Sequence, residues 1–115
     1  VIPSLIAAGI DILEAVQIDA TGMDPLRLKS TFGEKLSFHG AVSVQNLLPF
    51  ADPERIMNTC RCLIDILGKG GGYIAAPTHA IQVGTPVENV MAMLHGILGP
   101  EAVEQAKHRA KTERC

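Results

Sequence analysis

A chain of 115 residues with 47% hydrophobic residues and a formal net charge of −2 carries enough apolar material for one ordinary domain, which at this size buries about two thirds of its unfolded surface. Its lysines and arginines are scattered and it has only three phenylalanines and one tyrosine, so it offers neither a basic stripe for nucleic acid or an anionic membrane nor a base-stacking platform. No apolar run approaches the roughly 20 residues of a membrane span, the start Val1-Ile2-Pro3-Ser4 lacks the positive charge of a signal peptide, and three cysteines at 60, 62 and 115 fit a reducing cytoplasm without a disulfide framework.

In chain order, the first predicted element is a strand over Ile10 to Val16, a mostly apolar run interrupted by Asp11 and Glu14. Gln17 to Met23 then form a loop, closed by Asp24-Pro25, which has the chemistry of an N-cap followed by proline at the first helical position. The helix runs to Thr31 and stops at Gly33. A second strand is expected over Leu36 to Gly40, followed by a loop from Ala41 to Ala51 long enough to reach over a site, after which Asp52-Pro53 repeats the cap-and-proline signal. The helix it opens places Ile56, Met57, Cys60, Leu63, Ile64 and Leu67 on one face. Gly68 ends it, and Tyr73 to Ala76 form a short apolar third strand. Thr85 and Glu88 have the spacing of a capping box. The helix behind them presents Val87, Val90, Met91, Leu94, Ile97 and Leu98 as an apolar face up to Gly99-Pro100. Two units are expected: residues 1–98 as the folded body and 99–115 as a polar tail that forms a frayed helix. Three strand-loop-helix repeats in series predict α/β architecture with right-handed βαβ units and a parallel sheet.

In such a sheet the loops leaving the C-terminal strand ends build the ligand site. That places His79, just past the third strand, as the foremost candidate, able to hold a carboxylate, donate a proton or ligate a metal. Taken by position alone, a loop histidine bonded only to backbone is the slightly better reading. Gln17 and Gln45 lie on the same rim, and His39 beside Gly40 falls on that side, either as a site residue or as one merely packed or solvated. His95 and His108 read as helix-surface residues. Cys60 and Cys62 flank Arg61 on the amphipathic helix, where residues two apart point in different directions and share no metal. Cys115 is a terminal thiol expected to be inert. Gly70-Gly71-Gly72 follow a helix and enter a strand, the reverse of a phosphate cradle, so they belong to the opposite, stability face.

The ordered run Ala8-Gly9-Ile10-Asp11-Ile12-Leu13, Val16-Gln17, Gly22-Met23-Asp24-Pro25, Leu28-Lys29, Phe32-Gly33, Leu36-Ser37-Phe38, Gly40 to Gln45, Gly71-Gly72-Tyr73-Ile74, Pro77-Thr78-His79 and Thr85-Pro86-Val87-Glu88-Asn89 resembles the closing segment of the uroporphyrinogen decarboxylase superfamily over about Val1 to Leu98. A run of matches in fixed order is more specific than any one of them. The resemblance implies the last three βα units of a TIM-type (β/α)8 barrel, a partial barrel with parallel strands, preceded by the tail of an earlier helix that includes Ile2 to Ala8. A whole barrel takes about 250 residues, so further polypeptide is expected to complete it.

The superfamily contains cofactor-free carboxy-lyases of porphyrin biosynthesis, which decarboxylate tetrapyrrole acetate side chains, and zinc methyltransferases that move methyl groups between a corrinoid and a thiol. The position of His79 carries a substrate-contacting histidine in the decarboxylases and a zinc-binding cysteine in the methyltransferases. The first branch implies no cofactor, with His79 catalytic and His79, Gln45, Gln17 and His39 toward a small anionic substrate; the second implies zinc and a corrinoid partner, with His79 as a metal ligand. The methyltransferase zinc also needs a His-x-Cys pair, and no such pair occurs in this chain. The arginine-rich loop, aspartate and tyrosine of the decarboxylases likewise belong to earlier strands. Ser43 stands where the family often has aspartate, a departure within the loop network. The leading expectation is part of a decarboxylase-like site. The alternatives are part of a corrinoid-linked methyltransferase and a non-catalytic remnant that oligomerises through its exposed sheet face and edges.

Overall fold

The computed structural model describes residues 1–112, ordered as α1 (Ile2–Ala7), β1 (Ile12–Val16), α2 (Pro25–Phe32), β2 (Ser37–Val42), α3 (Pro53–Leu67), β3 (Tyr73–Pro77), α4 (Val87–Leu98) and α5 (Pro100–Thr112). The three strands form an open sheet in the order β1-β2-β3, parallel at both pairings, which is compatible with part of a barrel. Cys115 lies outside the described residues.

Two helices start where local chemistry dictates. The Asp24 carboxylate accepts from the Arg27 N–H at 2.8 Å and the Asp52 carboxylate from the Arg55 N–H at 2.9 Å. A proline follows each, in the position where its missing N–H costs nothing. α3 buries Ile56, Cys60, Leu63 and Leu67, with Met57 and Ile64 half-buried beside them, so the expected face is the observed one. It packs on β2 and β3, with α2 on one flank and α4 on the other. Phe38, Leu28, Val16 and Leu48 fill the core between sheet and helices.

Among the described residues, none covers the sheet's other face. Ile12 and Ile74 are 48% and 47% exposed, and Glu14 and His39 stand between them, Oε1 to Nδ1 at 3.6 Å. That is the face a closed barrel would turn inward.

α4 departs from expectation. Thr85 and Glu88 form no capping box: the chain turns at Gln82 to Thr85, Pro86 takes the N-cap position without a side-chain cap, and the buried Thr85 hydroxyl makes no hydrogen bond. The fully buried residues are Asn89, Ala92, Met93 and Gly96; of the expected face, Val90, Leu94 and Ile97 are half-buried against the core, whereas Val87 is 74% and Leu98 55% exposed. The cause is the crossing with α3. At Gly96 an added Cβ would lie 2.8 Å from Cys60 Cβ and 2.9 Å from the Met57 carbonyl oxygen, so the helices approach through the residue without a side chain and the bulkier residues are displaced to the flanks.

Residues 100–112 form a regular helix directly after Gly99, which reaches φ 82°. Val103 is buried against the body.

Burial also sets an alkaline limit. The Cys60 thiol is pushed up from 9.0 to about 11 by burial, and the Tyr73 hydroxyl is pushed up by burial and by the neighbouring Cys60 thiolate. Between pH 9 and pH 11 the unfolded chain gives up the Cys60 proton while the folded chain keeps it, so stability falls as pH rises through that window and is unaffected by this group below it. Urea midpoints measured from pH 8 upward are expected to drop across this range, and less steeply in Cys60→Ala. Equal slopes would contradict the assignment.

Candidate functional site

Three strand ends supply the candidate site. Val16 closes β1 and hands the chain to Gln17, Val42 closes β2 ahead of Ser43 to Gln45, and Pro77 closes β3 just before Thr78 and His79. Because all three strands are parallel, with β2 and β3 in continuous register from Phe38 opposite Tyr73 to Val42 opposite Pro77 and β1 ending with Val16 opposite Gly40 after a register shift, these exits lie on one rim. They line an open cavity of about 540 Å³, whose walls are Gln17, Val44, Gln45, Thr78, His79 and Gln82. This is within the usual volume of a small-molecule site.

The rim is hydrogen-bonded across strands. Gln17 Nε2 donates to Gln45 Oε1 at 2.9 Å. The Thr78 N–H donates to the Val42 carbonyl at 2.9 Å, and the Thr78 hydroxyl accepts the Val44 N–H at 3.3 Å. Ser43, 2% exposed, donates its hydroxyl to the Asp19 carboxylate and accepts the Asn46 N–H at 3.1 Å. His79 itself is exposed at the cavity wall. With Gln45 Oε1 taken by Gln17, the Gln45 amide NH2 is the end left to donate. Imidazole and amide N–H groups so placed suit a carboxylate.

Of the four residues singled out from the sequence, the structure brings together Gln17, Gln45 and His79. His39 is elsewhere. β2 continues past Gly40 because Gly40, Ala41 and Val42 pair with Ala75, Ala76 and Pro77, which leaves His39 three residues short of the strand's end, on the uncovered face beside Glu14. Its placement on the rim is corrected accordingly. The continuation needs unusual backbone, φ 109° at Gly40 and 74° at Ala41, and a Cβ on Gly40 would meet the Val16 nitrogen at 3.3 Å.

Asp19, Thr78 and Gln82 escaped the sequence reading. Asp19 and Thr78 were within reach of the pattern that found the others, since each is a polar residue within a few positions of a strand exit. A larger hollow of about 670 Å³ lies along α3 between Asp52 and Ile66, and none of the four candidates lines it.

The donor set bears on metal. Around His79 the cavity offers amides and a hydroxyl, and among the described residues no group of three His, Cys, Asp or Glu is placed to hold a metal ion. Zinc sites take three protein ligands of imidazole, thiolate or carboxylate type even when catalytic, so the described residues do not by themselves fit zinc. Cys60 is buried and Cys62 exposed on the same helix, consistent with their reading as unrelated thiols. None of the described helices is long and apolar enough to cross a membrane.

Comparison with known proteins gives one positive finding: the model of the family described as Uroporphyrinogen decarboxylase (URO-D) matches residues 4–97. No curated protein and no solved structure gives a significant match.

Proposed function

The chain belongs to the uroporphyrinogen decarboxylase family, and from that premise we propose that it furnishes one wall of a decarboxylase-like site that takes a tetrapyrrole through an acetate side chain. The observation that carries this reading is the convergence of Gln17, Gln45 and His79, from three successive strand exits, on one open cavity. Their N–H groups supply what a carboxylate needs.

In this reading the two glutamines hold the carboxylate end of the substrate, fixing its orientation, and His79 contacts or polarises the reacting acetate as its C–C bond breaks, carbon dioxide leaves and a proton takes its place on the carbon to give a methyl group. A donor held at that point acts more strongly as the site loses water. No step is assigned to zinc, because the cavity's donors are amides, a hydroxyl and one imidazole.

The uncovered sheet face favours a second, compatible reading. Ile12 and Ile74, both near half exposed, are apolar residues that further strands or a second copy would cover.

Binding tests the first reading. In the complete protein, an acetate-bearing tetrapyrrole is expected to quench intrinsic or ligand fluorescence saturably, and Gln45→Ala is expected to weaken that binding about tenfold, the value of one hydrogen bond to a charged group. A tetrapyrrole that binds equally well with its acetates esterified would remove the basis for the assignment.

A further inference from the structure

We propose that Asp19 and Ser43 are a positioning pair that holds Gln45, and through it Gln17, toward the substrate's anionic group; the proposal rests on the reading above for the identity of that group. Asp19 lies two residues beyond Gln17 in the loop leaving β1, and Ser43 two residues before Gln45 in the loop leaving β2. The Ser43 hydroxyl donates to the Asp19 carboxylate and accepts the Asn46 N–H. One residue back, the Val44 N–H is held by the Thr78 hydroxyl.

Both chain neighbours of Gln45 are thus fastened, Val44 to Thr78 at the β3 exit and Asn46 to Ser43, which in turn holds Asp19 beyond the β1 exit, while the Gln45 side chain is tied to Gln17. An amide side chain on a loop has several rotatable bonds, and ordering it for a ligand costs free energy at each binding event. Fastening the backbone on either side removes part of that cost in advance. Ser43 is 2% exposed, so a hydroxyl there must find a partner within the protein, and the charged oxygen of Asp19 is a strong one. Asp19 is exposed and lies outside the hydrophobic core, which separates its role from that of a packing residue. Asp19 is not a catalytic residue on this account, since it does not line the cavity.

Two readouts on the complete protein test it, one independent of any substrate. In 15N spectra, Asp19→Ala is expected to move the side-chain amide resonances of Gln17 and Gln45 and the Val44 and Asn46 N–H signals, with the melting transition retained; Asp19→Asn, which keeps an acceptor oxygen, is expected to restore them largely. Ser43→Ala removes the same bond from the other side and is expected to reproduce the shifts. In turnover of an acetate-bearing tetrapyrrole, Asp19→Ala is expected to raise KM about tenfold with kcat within about twofold, the pattern of lost binding order. Gln45 resonances that stay in place in both alanine variants would overturn the positioning pair. Resonances that move as expected, in a protein that binds no tetrapyrrole at all, would keep the pair and overturn the substrate reading.

Discussion

Alanine in place of His79 is expected to lower the complete protein's kcat/KM for decarboxylation of an acetate-bearing tetrapyrrole about 100-fold, at the lower end of what a positioned proton-transfer or polarising group contributes. The expectation rests on location. His79 is exposed on the cavity wall, two residues past the end of β3 and facing the same space as Gln17 and Gln45. It lies outside the packed core, so its loss leaves the fold's packing intact and the melting temperature is expected to stay unchanged. A second variant sorts the roles: His79→Gln keeps a hydrogen-bond donor but cannot exchange a proton at neutral pH. If His79 only holds the carboxylate, glutamine recovers most of the rate; if it polarises or protonates the reacting acetate, kcat stays low while KM recovers. Wild-type kcat/KM after His79→Ala would exclude both roles.

Asn89→Leu is expected to destabilise the protein by about 3 kcal/mol, because the buried Leu48 carbonyl and the half-buried Ala51 carbonyl lose their donor, at about 1–3 kcal/mol for a fully buried group. Asn89 is 4% exposed and its Nδ2 donates to the Leu48 carbonyl at 2.8 Å and the Ala51 carbonyl at 2.9 Å. These carbonyls belong to the turn that closes the loop carrying Gln45 and leads into Asp52, the cap of α3. Leucine keeps the heavy-atom branching of the amide and leaves no cavity, so what is measured is the orphaned backbone together with the crowding of its bulkier methyl groups. Chemical denaturation gives the number directly. A loss below 1 kcal/mol would mean that water or a shifted turn satisfies the carbonyls and that Asn89 is not the clamp described here.

The starts of α2 and α3 and the buried face of α3 were readable in the sequence because each depends on residues at most one or two turns apart. Asp24 and Asp52 cap a nitrogen three residues ahead, and Ile56 to Leu67 repeat at helical spacing over the sheet. The site was half readable for the same reason: once the strand exits were located, polar residues just beyond them pointed to Gln17, Gln45 and His79. His39 misled because the glycine after it resembles a strand end, while pairing to β3 carries β2 onward to Val42. Thr85 misled because its spacing to Glu88 is right but the preceding turn delivers the chain one residue late.

What the sequence by itself determined is therefore local: the alternation of strands and capped helices, the family, and which loops face the rim. What only the tertiary structure decided is every contact between segments distant in the chain, from the α4 face selected by the close approach at Gly96, through the Asn89 clamp on residues 48 and 51, to the hydroxyl-carboxylate link of Ser43 and Asp19. Hydrophobic periodicity and capping act over a few residues and leave their mark in the sequence, whereas these bonds join groups 24 to 41 positions apart and exist only once the packing has brought their partners within reach.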